Sequence, residues 1–319
     1  MTDDIKNTDE TRRDFIKGAG VIAAGAGLAA ATGGAAFAQG TAATATPKIL
    51  QGQTALVTGA GRGIGRAIVV ALAEAGANIV ALDIAQNIGN HNVPMASEDD
   101  LAQSVSLAKA QGVEAFPVKA DIRNLEAQEA AVAQAIERFG KLDIAVANAG
   151  VGSQATFTGT SKAEYKTHWD LNTDVNVKGT ANTIRAVAEH MKANKQGRII
   201  GVTSTFGRQG NASNPAYVTS KWAMVGMIKS AAIEMGEFNV TVNGIAPTAV
   251  ETGFGGPKTA DEKAGVNQWM MENYHKMPIG MLQPEDIAGS AVFLASKHAQ
   301  YITGTIVDVG AGANARYTA

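Results

Sequence analysis

The sequence predicts an α/β fold, doubly wound about a seven-stranded parallel sheet, and three observations predict it. Short apolar segments rich in β-branched residues recur seven times, helix-period segments separate them, and the apolar residues within each run almost without interruption. Strands read this way when both faces of a parallel sheet are covered. The segments are TALVTG (54–59), NIVALDI (78–84), AFPVKADI (115–122), KLDIAVANAG (141–150), GRIIGVTS (197–204), NVTVNGIAP (239–247) and TGTIVDVGAG (303–312). Helical periodicity runs from the first of them to about Ala75, and again over 124–138 and 214–236. Seven strands with their crossovers need roughly 250 residues, so a chain of 319 holds one such domain. Two stretches break the alternation, 86–100 and 253–284. Loops beyond the carboxyl ends of strands are where such sheets place substrate contacts.

Composition excludes several classes of function. A net charge of −2 and a pI near 6.2 give no electrostatic footprint for nucleic acid or an anionic membrane. Without cysteine there is no disulfide, thiolate metal site or cysteine nucleophile. The five histidines (His91, His168, His190, His275, His298) show no pair at ligand spacing, so no metal is expected.

The N-terminal region reads as a targeting segment. Residues 1–17 are polar and end in TRRDFIK, and 18–38 carry no charge, with sixteen of those twenty-one positions Gly or Ala. Ala36-Phe37-Ala38 is a small-x-small cleavage pattern, and charge returns only at Lys48. Paired arginines before a weakly apolar run resemble a twin-arginine export signal over 1–38. Only Val21, Ile22, Leu28 and Phe37 are bulky and apolar there, too few for a transmembrane span. Residues 39–50 then form an Ala/Thr linker, and the folded domain occupies 51–319. Expected from this are passage through the twin-arginine machinery and a periplasmic location, a cytoplasmic one being the alternative.

After the first strand comes TGAGRGIG, Thr58 to Gly65. Gly59, Gly63 and Gly65 stand between a strand and a helix, where glycines allow a tight turn, close approach to a pyrophosphate and close helix–strand packing. The helix dipole favours the same anion. Asp83 ends the second strand eighteen residues beyond Gly65. A carboxylate there accepts ribose hydroxyls and repels a 2′-phosphate, favouring NAD over NADP. Arg62 argues the other way, since a guanidinium near the ribose could hold that phosphate.

A second cluster carries chemistry. Ser204 closes the fifth strand, Tyr217 follows thirteen residues later, and Lys221 lies four beyond it on a helix. Side chains at i and i+4 share one helical face. The ammonium is thereby expected beside the phenol, favouring phenolate and lowering a pKa normally near 10. Such a Tyr exchanges a proton with an alcohol or ketone while hydride moves at the cofactor. Ser204 would hydrogen-bond the substrate oxygen.

Together TGAGRGIG, ANAG (147–150), Asn176 in DVNVKG, Ser204 and YVTSK (217–221) resemble the short-chain dehydrogenase/reductase family, in order from about 51 to 312. The resemblance implies a single doubly wound Rossmann domain and an Asn176-Ser204-Tyr217-Lys221 tetrad in which Asn176 holds a water that links Lys221 to solvent. It implies a cofactor site including Ile64 in the glycine loop and Ile84 beside Asp83. Asp121 and Ile122 would flank the adenine. Asn148, Ala149 and Gly150 would stabilise the sheet and border the cofactor. Pro247 through Thr252, with Val250, would meet the nicotinamide carboxamide. Ala147 replaces a common first Asn, and Thr248 stands where most members have Gly. The Pro-Thr pair, the VANAG spelling and the insertion 90–105 are similar to a carveol-dehydrogenase-like subgroup whose members keep NAD bound and reoxidise it in place. Because the twin-arginine route carries folded proteins, NAD bound before export and not exchanged is expected here too.

The apolar residues of 253–284 (Phe254, Trp269, Met270, Met271, Tyr274, Met277, Met281, Leu282) suit either a lid over a hydrophobic secondary alcohol or ketone, or a helix packing on the body or a neighbouring subunit. The helix at 214–236 carries Trp222, Met224, Met227 and Ile228; buried all round it would fit the family's homotetramer, and otherwise it packs on its own sheet. The function expected is an exported NAD-dependent alcohol dehydrogenase or ketone reductase. Its alternatives are a cytoplasmic 3-oxoacyl-type reductase using NADPH and a non-catalytic dinucleotide binder.

Overall fold

A computed structural model describes residues 48–89, 91, 93–154, 156–254 and 258–315, all within the compact unit Thr46–Ala319. The export signal (1–38) and most of the linker (39–50) lie outside the described residues.

The seven apolar segments form seven strands: β1 (Thr54–Thr58), β2 (Asn78–Asp83), β3 (Ala115–Lys119), β4 (Ile144–Ala147), β5 (Gly197–Val202), β6 (Val240–Pro247) and β7 (Ile306–Val309). They make one parallel sheet in the order β3-β2-β1-β4-β5-β6-β7. Winding therefore reverses between β1 and β4, and a cleft opens beyond the carboxyl ends of the strands there. Alternation along each strand builds two cores. Ala55, Val57, Ile79 and Ala81 face one, with Ile68 and Leu72 of α1 (Gly63–Glu74), Leu101 of α2 (Glu98–Ala110) and Leu294 of α8 (Pro284–Ala295). Leu56, Val80 and Leu82 face the other, with Ala131 of α3 (Leu125–Phe139), Met191 of α5 (Thr180–Asn194) and Ile228 of α6 (Pro215–Gly236). Each large side chain so buried contributes roughly 2 kcal/mol.

Between β4 and α5, α4 (Lys162–Asn172) runs into a π-helical turn, Thr173–Gly179. π-turns in helices often mark functional positions, and this one carries Asn176.

Four local readings gain detail. Leu50 is fully buried and its N–H bonds the carbonyl of Ala75, so the domain already includes the end of the expected linker. Within the stretch 86–100, Ser97 opens α2 through a capping box with Asp100. A helix also lies inside 253–284: α7 (Ala260–Trp269) starts at a second capping box, Thr259 with Glu262, and continues into a π-turn, Met270–Tyr274. Finally, within the single chain α6 packs on its own sheet and leaves Trp222 and Ile233 43% and 83% exposed. Its inner face, including Met224 and Ile228, covers the sheet, and a single chain offers nothing to cover the outer one. Among the described residues no helix is long and apolar enough to cross a membrane.

Candidate active site

A cavity of about 720 Å³ lies beyond the carboxyl ends of the central strands, within the range of small-molecule sites. Of the catalytic and cofactor residues singled out in the sequence, Asn176 and Thr248 do not line it and the others do. Of the apolar residues of 253–284, Phe254 and Met281 line it, whereas Trp269, Met270, Met271, Tyr274, Met277 and Leu282 do not.

The glycine loop is shaped by backbone crowding. Gly59 and Gly63 have φ of 66° and 54°, in the left-handed region. A Cβ on Gly65 would lie 1.9 Å from the Gly59 carbonyl oxygen, so no side chain fits there. Asn148 fastens the loop to β4: its Nδ2 donates to the carbonyls of Thr58 (2.9 Å) and Gly59 (3.2 Å). The Thr58 hydroxyl accepts from the N–H groups of Asn148 and Ala149, each at 3.1 Å. No side chain caps the N-terminus of α1, and its first turn holds no acid. Those N–H groups and the helix dipole suit a pyrophosphate.

Asp83 is buried, and backbone N–H groups grip its carboxylate: Gly61 donates to Oδ2 at 2.9 Å and Ala85 to Oδ1 at 3.0 Å. Carboxylate oxygens have spare lone pairs for ribose hydroxyls. The Arg62 guanidinium instead packs at Gly253, where a Cβ would meet its Nη1 at 2.8 Å, and it makes no ion pair with Asp83. Asp121 is held by Arg123 through bonds of 3.0 and 2.9 Å from Nε. Burial alone would raise the Asp121 carboxyl, but the Arg123 contacts outweigh it and leave the pKa below its ordinary value. Next to it, the Ile122 side chain occupies the space a Cβ on Gly179 would need.

The chemistry-bearing groups meet on the other side of the switch point. Ser204 is two residues past the end of β5, Tyr217 is in the first turn of α6, and Lys221 is one turn on. The Ser204 hydroxyl and the Tyr217 phenol both line the cavity, Ser204 favouring the ionised phenol, while Ser204 Oγ accepts from the Phe206 N–H at 3.1 Å. Lys221 is buried, donates to the Val202 carbonyl at 2.9 Å and sits 5.5 Å from the centroid of the Tyr217 ring. Asn176 is fully buried behind the wall. Its Oδ1 accepts from the Val151 N–H, and its Nδ2 donates to the Val151 carbonyl and to Ser220, all at 2.9 Å. It thus fixes the backbone beside Gly150 and the helix that carries Tyr217 and Lys221.

One electrostatic expectation is overturned. The phenol is not lowered: burial pushes Tyr217 up to about 12, Ser204 opposing this only in part. Burial also pulls Lys221 down to about 7. Desolvation disfavours both charged forms, so positive charge brought into the cavity would favour the phenolate.

Sequence reading missed part of the wall. Ile88 and, from the insertion, His91, Val93, Met95 and Ala96 line it, and the segment after β6 adds Lys258, Lys263 and Val266. The segment after β6 is tied back to the site. Val250 bridges Leu282, and Lys263 pairs with Glu251 at 2.7 Å. His91 is lowered by burial and by the nearby charges of His168 and Arg62.

The glycine cradle, the gripped Asp83 and the cavity volume all fit a dinucleotide. Comparisons with known proteins agree with this geometry. The chain is 31% identical to (-)-trans-carveol dehydrogenase of Rhodococcus erythropolis, over 82% of this chain and 98% of that protein. It is 34% identical to a 3-oxoacyl-acyl-carrier-protein reductase of Staphylococcus epidermidis, over 82% and 98%. The crystal structure of carveol dehydrogenase from Mycobacterium avium in complex with NAD superposes with a TM-score of 0.77 at 30% identity, covering 83% of this chain and 98% of that one. A family model described as short chain dehydrogenase matches residues 53–263, and the chain is therefore a member of the short-chain dehydrogenase/reductase family, an oxidoreductase built on a doubly wound sheet.

Proposed function

We propose that the protein interconverts hydrophobic secondary alcohols and ketones with NAD as its cofactor. The observation that carries this reading is the convergence of Ser204 and Lys221 on Tyr217 inside a cavity whose far end is the glycine cradle and Asp83. The glycine loop and the N-terminus of α1 would hold the pyrophosphate, Asp83 the adenosine ribose, and Pro247–Thr252 the nicotinamide carboxamide. When bound, NAD supplies the acceptor for a hydride and, oxidised, added positive charge that favours the phenolate. In oxidation Tyr217 takes the hydroxyl proton of the substrate as the carbinol hydride leaves, and in reduction it returns a proton to the carbonyl oxygen. Ser204 holds that same oxygen. Lys221, when protonated, lends positive charge and, with Asn176 behind it, keeps the helix and the phenol in place.

Replacing Tyr217 with Phe tests the reading. Turnover of secondary alcohols should fall by at least about a thousandfold, with bound nucleotide unchanged. Activity surviving in the variant would refute Tyr217 as the acid/base.

The carveol dehydrogenase relatives support an alicyclic substrate. The 3-oxoacyl reductase relative keeps the NADPH-dependent alternative in view. Asp83, gripped by two N–H groups and free of Arg62, favours NAD. The paired Arg12-Arg13 and the Gly/Ala run support export to the periplasm with NAD already bound and not exchanged. Fractionation of cells expressing the parent and an Arg12→Lys, Arg13→Lys variant tests export. Denaturing the purified protein and assaying the released nucleotide tests retention, about one mole per mole being expected. We assign the uncovered Trp222 and Ile233 of α6 to contact between copies of the chain, in a homotetramer.

A further inference from the structure

Phe254 is placed where the apolar body of a substrate must lie. Its ring centroid is 5.7 Å from that of Tyr217, with the two planes inclined at 56°. Behind Tyr217 stands Phe206, edge-on at 6.4 Å, so the phenol is flanked by one ring outside the wall and one ring inside it. Phe254 is seated on Gly152: a Cβ at that position would lie 2.6 Å from the ring. Gly152 has no positive φ, so its bare Cα serves the ring and not a turn. The Phe254 N–H donates to Thr252 Oγ1 at 3.1 Å, which ties the residue to the segment that would meet the nicotinamide. Nonetheless 44% of Phe254 remains exposed, although it lines the cavity. An aromatic face left open beside a proton-transfer group awaits an apolar occupant.

We propose that Phe254, seated on Gly152, is a specificity-determining residue that selects substrates bearing the alcohol or ketone on a ring over open-chain ones. The inference rests on the proposed alcohol–ketone chemistry and extends it. A ring that holds its oxygen at Ser204 and Tyr217 presents a broad, rigid apolar face beside the carbinol carbon. That face can lie against Phe254 with no loss of chain freedom. An open chain of the same carbon number covers less of the aromatic ring and gives up several rotors to do so. Val151, Val266 and Met281, all apolar, line the same cavity.

Cyclohexanol and 2-hexanol, secondary alcohols of equal carbon number, provide the test on the NAD-loaded enzyme, with an artificial electron acceptor present to reoxidise the bound cofactor. Phe254→Ala should raise KM for cyclohexanol about tenfold with kcat changed less than threefold, and should leave KM for 2-hexanol within threefold. Phe254→Leu should restore part of the preference. Gly152→Ala should lower the preference with Phe254 still present, because the new Cβ displaces the ring. Nucleotide content should match the parent in all three, which separates lost selectivity from lost cofactor. An unchanged ratio of kcat/KM for the two alcohols in Phe254→Ala overturns the proposal, and an unchanged ratio in Gly152→Ala overturns the seat on Gly152. Neither result touches the proton-transfer reading, which stands or falls separately on Tyr217→Phe.

Discussion

The hydroxyl of Thr248 and Nε2 of His275 are 2.8 Å apart in the buried layer beneath the cavity. Nδ1 of the same ring lies 2.9 Å from the carbonyl of Ile279. A carbonyl only accepts, so Nδ1 carries the proton, and in the neutral ring Nε2 accepts from Thr248. A threonine in place of the family's usual glycine is thereby explained, since it binds the strand β6 exit to the segment after α7.

Removing either partner leaves a buried polar group unpaired. His275→Ala should lower stability by about 3 kcal/mol and Thr248→Ala by about 1 kcal/mol. In a double-mutant cycle the pair should show a coupling of about 1 kcal/mol. Urea denaturation of the four proteins measures this. Strict additivity would mean that the two side chains do not support one another.

At Gly65 the consequence is steric. A methyl group there would sit 1.9 Å from a backbone oxygen that cannot yield without opening the loop. Gly65→Ala should therefore weaken NAD binding at least about a hundredfold, the two anchors of the cradle moving apart. Gly210→Ala, with open space around it, is the control and should bind as the parent does. Calorimetric titration with NAD distinguishes the two, and parent-like affinity in Gly65→Ala would exclude the loop as the phosphate cradle.

The sheet and most of the cavity wall are legible in the sequence because their signals are local. Apolar runs mark all seven strands, and the glycines after β1 mark the turn that only they can make. The starts of α2 and α7 are also written locally, in Ser97-x-x-Asp100 and Thr259-x-x-Glu262, though each lies inside a stretch whose composition reads as loop. What the sequence conceals depends on distant packing. The direction of Arg62 is decided by Gly253, and the fit of Phe254 by Gly152, about a hundred residues earlier. Helical spacing correctly brings Lys221 near Tyr217, but burial reverses the expected shift of the phenol, and burial is a property of the whole fold.

Asp83 should set the choice of nucleotide. Asp83→Asn removes the charge that repels a 2′-phosphate and turns one acceptor oxygen into a donor facing a backbone N–H. Affinity for NAD should fall about tenfold, and the ratio of NADP to NAD affinity should rise by at least tenfold. Titration of nucleotide-free protein with each dinucleotide reads both. An unchanged ratio would move the ribose site away from Asp83.

Lys221 makes the nucleotide-free fold sensitive to alkali in a defined direction. Its amine, pulled to about 7 by burial, has an ordinary value near 10.4 in the unfolded chain. Between these values the unfolded state holds a proton that the folded state lacks, so stability rises with pH, by up to about 1.4 kcal/mol per unit. Tyr217, pushed up to about 12, acts in the opposite sense only above about pH 10, where the unfolded phenol ionises first. From pH 7.5 to 9.5 the lysine therefore dominates the pair. Urea denaturation of nucleotide-free protein should show the parent gaining about 2 kcal/mol relative to Lys221→Met across that interval, because methionine fills the same buried path without a charge to desolvate. Parallel pH profiles for the two proteins would mean that the ammonium is stabilised in place, and that positive charge stands beside the phenol before any cofactor arrives.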